Sequence, residues 1–276
     1  MIDNEVLGKC QKAAVEIRKD IIRMTYNAGN TGAHIGGSLS IVEIMAVLHL
    51  GIMRYDVTNP YMEERDRFIL SKGHGVMAQY AALKQLGLIS QEELLTFKKN
   101  ETHLFAHPSL DLKRGIEFSS GSLGQGLSFG VGTALALKRK GNFSSRVFVL
   151  LGDGECDEGS VWEAASSASH YKLDNLTAIV DENQLQYDGA TSEVLSKDNL
   201  LTRWHSFGWS AVHVNGHSIE ELLNELSVRG NKPTVIIART VKGKGVSFME
   251  DMQQWHNGRL SQKQFEEAMA EQEVIQ

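Results

Sequence analysis

The sequence has 276 residues, with 28 Lys and Arg against 34 Asp and Glu, a formal net charge of −6, and 42% hydrophobic and 22% charged residues. It has no basic block and no apolar run of the roughly 18 residues a bilayer span needs, which excludes the footprint of a nucleic-acid binder and a membrane-crossing helix. Its two cysteines, Cys10 and Cys156, stand far apart and in no metal spacing, so neither a disulfide framework nor a zinc site is indicated.

The N-terminal stretch MIDNEVLGKCQKAAVEIRKD is amphipathic and contains acids, so no secretory signal is expected and a cytoplasmic location is the default. Val15, Ile17, Ile21, Ile22 and Met24 form one helical stripe, and the glycines of NAGNTGAHIGGSLS predict a break after it. A second helix is predicted through IVEIMAVLHL with Ser40 as its N-cap. RFIL reads as a short buried strand, SKGHG as a loop, and VMAQYAALKQLG as a helix ending at glycine. A loop-rich stretch follows, NETHLFAHPSLDLKRGIEFSSGSLGQG, and then a helix, LSFGVGTALALKRK, whose glycines and alanines allow close approach of another backbone.

From there the pattern alternates: strand 146–151, helix 158–171, strand 176–181, helix 198–207, strand 210–214, helix 218–229, strand 234–239, and a polar amphipathic helix over SQKQFEEAMAEQEVIQ. Continuous apolar strands between amphipathic helices predict a parallel sheet covered on both faces. With three prolines, no Ser/Gly linker and no repeat of 20–50 residues, the expectation is a single doubly wound α/β domain over 1–276, with helical additions at its N-terminus.

The stretch LLGDGECDEG, residues 150–159, ends an apolar strand in an aspartate between two glycines. Packing a core requires no carboxylate there, and burying polar groups without partners costs about 2–7 kcal/mol even when they are neutral. In an open parallel sheet, ligands bind beyond the carboxyl ends of the strands. Asp153 sits at such an end, and Asn183 sits at the end of the next predicted strand, thirty residues later. If those strands are neighbours, two hard oxygens project over one edge, suited to Mg²⁺ or Ca²⁺ with ligand phosphates. Gly152 and Gly154 would let the backbone approach an anion, and the helix opening near Glu158 and Gly159 would add N–H donors.

This spacing resembles the thiamine diphosphate-binding motif. The resemblance implies that Asp153, Asn183 and the main-chain carbonyl of Leu185 hold a divalent metal bound to thiamine diphosphate, Mg²⁺ with Ca²⁺ or Mn²⁺ as alternatives. His34 in TGAHIGGSLS, His74 in LSKGHG, His107 in FAHPSL, GSLGQG at 121–126 and His256 in TVKGKGVSFMEDMQQWHNG occur in one order. In that order they resemble the N-terminal domain of transketolases. The resemblance implies that His74 and His256 contact the diphosphate, and that His34, His107 and His256 face the donor sugar as catalytic groups. It also implies that Gly121 and Leu123 run beside the aminopyrimidine, and that Glu158 links two cofactor sites through an interface network. Neutral histidines suit proton traffic near pH 7.

Ile35 and Ser38 stand where the family loop is rich in proline, and Ser122 stands where proline is usual in GSLGQG, which opens the identity of the donor sugar. A full transketolase is a much longer chain, and its activating glutamate belongs to a pyrimidine-binding domain after this one. The expectation is therefore the N-terminal subunit of a split transketolase, active as a heterotetramer with a C-terminal partner subunit. It would transfer a two-carbon ketol unit between sugar phosphates, with neither nucleic acid nor membrane as a partner. The alternatives are the alpha subunit of a 2-oxo acid dehydrogenase, a deoxyxylulose phosphate synthase, and a non-catalytic cofactor-binding module.

Overall fold

Five apolar runs form one parallel sheet. They are β1 (Arg67–Leu70), β2 (Val147–Gly152) and β3 (Leu176–Glu182), then, after a small hairpin of β4 (Leu185–Gln186) and β5 (Gly189–Ala190), β6 (Ser210–Asn215) and β7 (Thr234–Arg239). The structure, a computed structural model, describes residues 2–195 and 199–274. The strand order is β1-β2-β3-β7-β6, and each pairing is parallel. β2, β3 and β7 are buried on both faces, which explains why their sequences run apolar without alternation, whereas the edge strand β6 is mostly half-buried. Phe148 and Leu150 of β2 join one core, while Val147, Val149 and Leu151 join the other.

The helices are, in chain order, α1 (Asn4–Asn27), α2 (Ile35–Leu39), α3 (Val42–Val47), α4 (Val76–Gln85), α5 (Gln91–Leu94), α6 (Gln125–Arg139), α7 (Gly159–His170), α8 (Thr191–Val194), α9 (Leu200–Ser206), α10 (Ile219–Ser227) and α11 (Gln262–Val274). Apolar residues of α1, α3, α4 and α10 pack in the core on one face of the sheet. Those of α6, α7 and α9 pack on the other. Connection handedness explains the division. The chain crosses the sheet one way through β1, β2 and β3 and on to β6, so right-handed crossovers lay α6, α7 and α9 on one face. It returns from β6 to β7, so α10 falls on the opposite face. The reversal lies between β3 and β7, and the loops beyond the carboxyl ends of β1, β2, β3 and β7 meet above it.

Three sequence expectations change. Residues 35–39, read as part of a break, are helical, because Gly36 and Gly37 are pressed against the Trp255 carbonyl and the His74 ring. Close tertiary contact outweighs their poor helix propensity. Ser40 does not cap the next helix, which begins at Val42 with Ile41 as its cap residue. Its hydroxyl donates to Asp181 Oδ2 at 2.8 Å. The helix then passes into a wide π turn over Leu48–Ile52 rather than continuing as one α-helix to 50. The helix predicted over 198–207 appears as Leu200–Ser206, capped by Asn199, and residue 198 lies outside the described residues. Residues 275 and 276 of the predicted C-terminal helix lie outside them too.

Candidate active site at the carboxyl edge of the sheet

β2 and β3 are neighbours with Gly152 opposite Asp181, so Asp153 and Asn183 emerge side by side. Asp153 is buried. Its carboxylate accepts the Gly154 N–H at 2.8 Å and the Gln184 N–H at 2.7 Å. Gln184 adopts a left-handed conformation, φ +61°, which costs a non-glycine residue roughly 1–2 kcal/mol. That kink turns the chain from β3 into the β4–β5 hairpin, with the Gln184 N–H held by Asp153. Asn183 donates from Nδ2 to Asp181 Oδ2 at 2.8 Å and accepts the Leu185 N–H on Oδ1 at 3.1 Å. A carboxylate, an amide oxygen and a main-chain carbonyl are the hard donors that Mg²⁺ or Ca²⁺ takes, so these residues fit the metal the motif implies. Among the described residues no group of three or more His, Cys, Asp or Glu side chains is placed to hold a metal. Any such site here must draw on amide and carbonyl oxygens. The Leu185 carbonyl already accepts a hydrogen bond from Lys242 Nζ at 2.7 Å.

Beneath this set lies a fully buried Asp181. It accepts hydrogen bonds from Lys72 Nζ, Ser40 Oγ, Thr240 Oγ1 and Asn183 Nδ2. Burial alone would push its carboxyl up, but the Lys72 ammonium and the hydroxyl donors outweigh it and hold the group below the ordinary range. Lys242 is pushed down to about 8, mainly by burial and then by Lys72, with Asp181 and Asp153 opposing the shift. Near pH 7 it therefore still carries its charge.

Four histidines converge above this floor. The His34 ring centroid lies 5.5 Å from those of His107 and His256 and 5.8 Å from that of His74. His74 and His256 stack at 5.3 Å. The arms that carry them are tied together. Ala33 and Gly258 exchange both backbone hydrogen bonds, at 2.8 and 3.0 Å, which fixes the His34 turn to the His256 arm. Ser120 donates from N to the Pro108 carbonyl and from Oγ to the Leu70 carbonyl, which ties the His107 loop to the end of β1. Desolvation is the first cause of lowered basicity in all four. His34 is pushed down to about 4, with help from His107, Lys98 and Lys242. His256 is pushed down to about 3, with help from Lys242 and His34. His74 and His107 are lowered by burial and by Lys72 or Lys98 respectively. All four rings are neutral at pH 7 and able to accept or donate a proton.

The other expected site residues fall at the rim. Gly121 is exposed beside the His107 ring, and Leu123 is half-buried. Glu158 is exposed as the residue preceding α7. The Gly152 and Gly154 amides are engaged within the turn, with Glu155 and Asp153 as acceptors. A short 3-10 turn, Gly154–Asp157, separates them from the first turn of α7. The sequence reading passed over Glu155, which is buried. It accepts from Gly124 N, Gly152 N and Ser71 Oγ, and so joins three loops of the site. Burial raises its carboxyl pKa. It also passed over Lys72, Lys242 and Asp181, although both lysines lie inside the SKGHG and VKGKG stretches it singled out for their histidines and glycines.

The family described as transketolase, thiamine diphosphate binding domain, matches residues 11–272. The chain is 42% identical over 258 residues to one subunit of an apulose-4-phosphate transketolase of Phocaeicola vulgatus, covering 92% of this chain and 90% of the relative. It is 42% identical over 241 residues to the 6-deoxy-6-sulfo-D-fructose transketolase subunit SqwG of Clostridium sp., covering 86% and 87%. The solved transketolase of Leishmania mexicana superposes with a TM-score of 0.85 at 26% identity, over 96% of this chain and 41% of that one.

Proposed function

Because this chain belongs to the transketolase thiamine diphosphate-binding family, we propose that it is the cofactor-binding subunit of a two-subunit transketolase, with 1–276 as one domain. The observation that carries this reading is the meeting of four neutral histidines beside the oxygen set of Asp153, Asn183 and Leu185. Those oxygens would hold Mg²⁺, or Ca²⁺ or Mn²⁺ in its place, against the diphosphate, and Lys242 adds positive charge to the same pocket. Bound thiamine diphosphate supplies the electron sink for breaking the C2–C3 bond of a ketose. His34, His107 and His256 are the catalytic groups, moving protons at the sugar hydroxyls and donating to the C2 oxygen as charge develops there. His74 stacks on His256 and, with the GSLGQG backbone at Gly121 and Leu123, orients the cofactor. Glu158, exposed at the rim, faces the neighbouring subunit.

The donor is a ketose phosphate or a similar sugar with an anionic end, and transfer of its two-carbon unit serves sugar interconversion of the pentose phosphate kind. The relatives matched along nearly their whole length are named as subunits, which supports a second chain that completes the site, in a heterotetramer. This chain covers 41% of the Leishmania mexicana transketolase, in keeping with such a division. The same relatives favour ketol transfer over 2-oxo acid dehydrogenation. No described helix is long and apolar enough to cross a membrane, and we place the enzyme in the cytoplasm.

The test is to co-express this chain with a neighbouring transketolase-like chain and assay a panel of ketose donors with Mg²⁺ and thiamine diphosphate. Ketol transfer by the pair is expected. A pair that binds the cofactor yet transfers from no phosphorylated or sulfonated ketose would overturn the reading.

A further inference from the structure

The Thr240–Gly245 loop carries Lys242 to the Leu185 carbonyl, and a chain of side chains with no part in the proposed chemistry grips it from beneath. His217, in the turn after β6, accepts the Val241 N–H on Nε2 at 2.8 Å. Its Nδ1 lies 2.9 Å from Glu43 Oε2. Arg18, from α1, pairs through Nη2 with the other oxygen of Glu43. Arg18 then returns to the loop, donating from Nε to the Lys244 carbonyl at 3.2 Å. The loop is therefore held at Val241 and at Lys244, on either side of Lys242 and Gly243.

The chemistry of the ring gives this contact a direction. A nitrogen that accepts a backbone N–H carries no proton, so the hydrogen of His217 sits on Nδ1 and is donated to Glu43. A carboxylate behind a histidine fixes its tautomer and its orientation in this way. Glu43 is an anion in place: burial raises its carboxyl, but Arg18 and His217 together hold it below the ordinary range. The loop has little slack to absorb a change. Gly243 N–H donates to the Gly36 carbonyl at 3.1 Å, next to the His34 turn. Asp251 N–H donates to the Lys242 carbonyl at 2.9 Å, at the start of the arm that ends in His256.

We propose that His217, oriented by Glu43 and Arg18, is a positioning residue that sets where Lys242 and the His256 arm stand over the carboxyl edge of the sheet. Its relevance to catalysis rests on the reading that this loop faces the cofactor diphosphate. Two substitutions separate the two ends of the ring. His217→Gln can place an amide oxygen near the position of Nε2 but loses the donor at Nδ1. His217→Asn keeps a donor near Nδ1 and leaves the Val241 N–H without an acceptor.

The measurements are backbone amide exchange over 240–258 in the full chain, and titration of its complex with the partner subunit with Mg²⁺ and thiamine diphosphate. Melting temperature and exchange in β7 serve as controls for the fold. His217→Asn is expected to speed exchange at Val241 and its neighbours and to weaken cofactor binding by about tenfold, with β7 protected as before. His217→Gln, which keeps an acceptor for Val241 but loses the hold of Glu43, is expected to fall between the Asn variant and the wild type in both. If the Asn and Gln variants match each other, or if Asn matches the wild type, the proposal is overturned. Should the Asn variant fail to fold, Glu43→Gln, which releases the Arg18 pairing and weakens the hold on Nδ1, is expected to loosen the same loop, and unchanged exchange there would overturn the proposal. If the wild-type complex with its partner subunit binds no cofactor, the site reading fails on its own, and exchange at Val241 still decides this proposal.

Discussion

His34 faces three other imidazoles at 5.5–5.8 Å between ring centroids, an arrangement that protonation would oppose through desolvation and mutual repulsion. Folding therefore holds these rings neutral, and linkage makes that visible in stability. The unfolded chain protonates each ring near pH 6.5, whereas folded His34 and His256 wait until about 4 and about 3. Below pH 6.5 the unfolded state binds more protons than the folded one, so stability falls as pH falls through that window. The expected result is a melting temperature that declines from neutral pH toward about 4, with a shallower slope in His34→Asn. An unchanged slope in that variant would show that His34 is not held neutral by folding. For turnover, His34→Ala and His107→Ala are each expected to lower kcat by about a hundredfold, the scale of a lost proton-transfer group, with cofactor affinity near normal. Asp153→Ala and Asn183→Ala should do the reverse, weakening Mg²⁺ and thiamine diphosphate binding by at least about tenfold without unfolding the chain. Calorimetric titration distinguishes the two classes, and equal loss of cofactor in all four variants would mean that the histidines are misassigned.

Among the elements, α2 shows how closely the site is fitted together. A Cβ on Gly36 would stand 2.7 Å from the Trp255 carbonyl oxygen and 3.1 Å from Lys242 Cγ. Neither neighbour can withdraw freely, because Trp255 lies in the His256 arm and Lys242 is bonded to Leu185. Gly36→Ala is therefore expected to push α2 away from that arm and separate His34 from His256. Turnover should fall steeply, while stability should drop by about 1–3 kcal/mol, the usual range for overpacking. Steady-state kinetics beside a denaturant melt would check this, and full turnover in the alanine variant would show that the arm is free to move. Gly243 makes a second case, with φ +78° and a virtual Cβ 2.4 Å from the Met249 carbonyl oxygen. Its substitution by alanine should cost at least as much, since backbone strain adds to the clash.

At the scale of the molecule, the four loops that form the site end on a surface rather than inside a closed cavity. Phe105, Leu110 and Phe129, large apolar side chains, are exposed on this chain. The proposed activity requires water to be kept from the reacting carbon, and a second subunit would supply that cover. Purified alone with Mg²⁺ and thiamine diphosphate, the chain should show no ketol transfer, and activity should appear on mixing with the partner. Turnover by the lone chain at the rate of the mixed pair would refute this division of labour.

How much of this could be read in the residues alone follows from the range of the forces involved. The parallel sheet, the helices between its strands and the placement of Asp153 and Asn183 at the ends of neighbouring strands were legible, because each depends on periodicity within a segment or on two strands one crossover apart. The order of the histidines was legible as a resemblance. Their convergence on His34 was not, since it depends on the bridge between Ala33 and Gly258 and on the approach of Gly36 to Trp255. The burial of Asp181 with Lys72, 109 residues away, and the hold of Arg18 on Lys244, 226 residues away, leave no mark in local composition. A buried charge and a solvated one are the same letter in a sequence. Which of them is paired and which is neutral was decided only when packing removed the water around them.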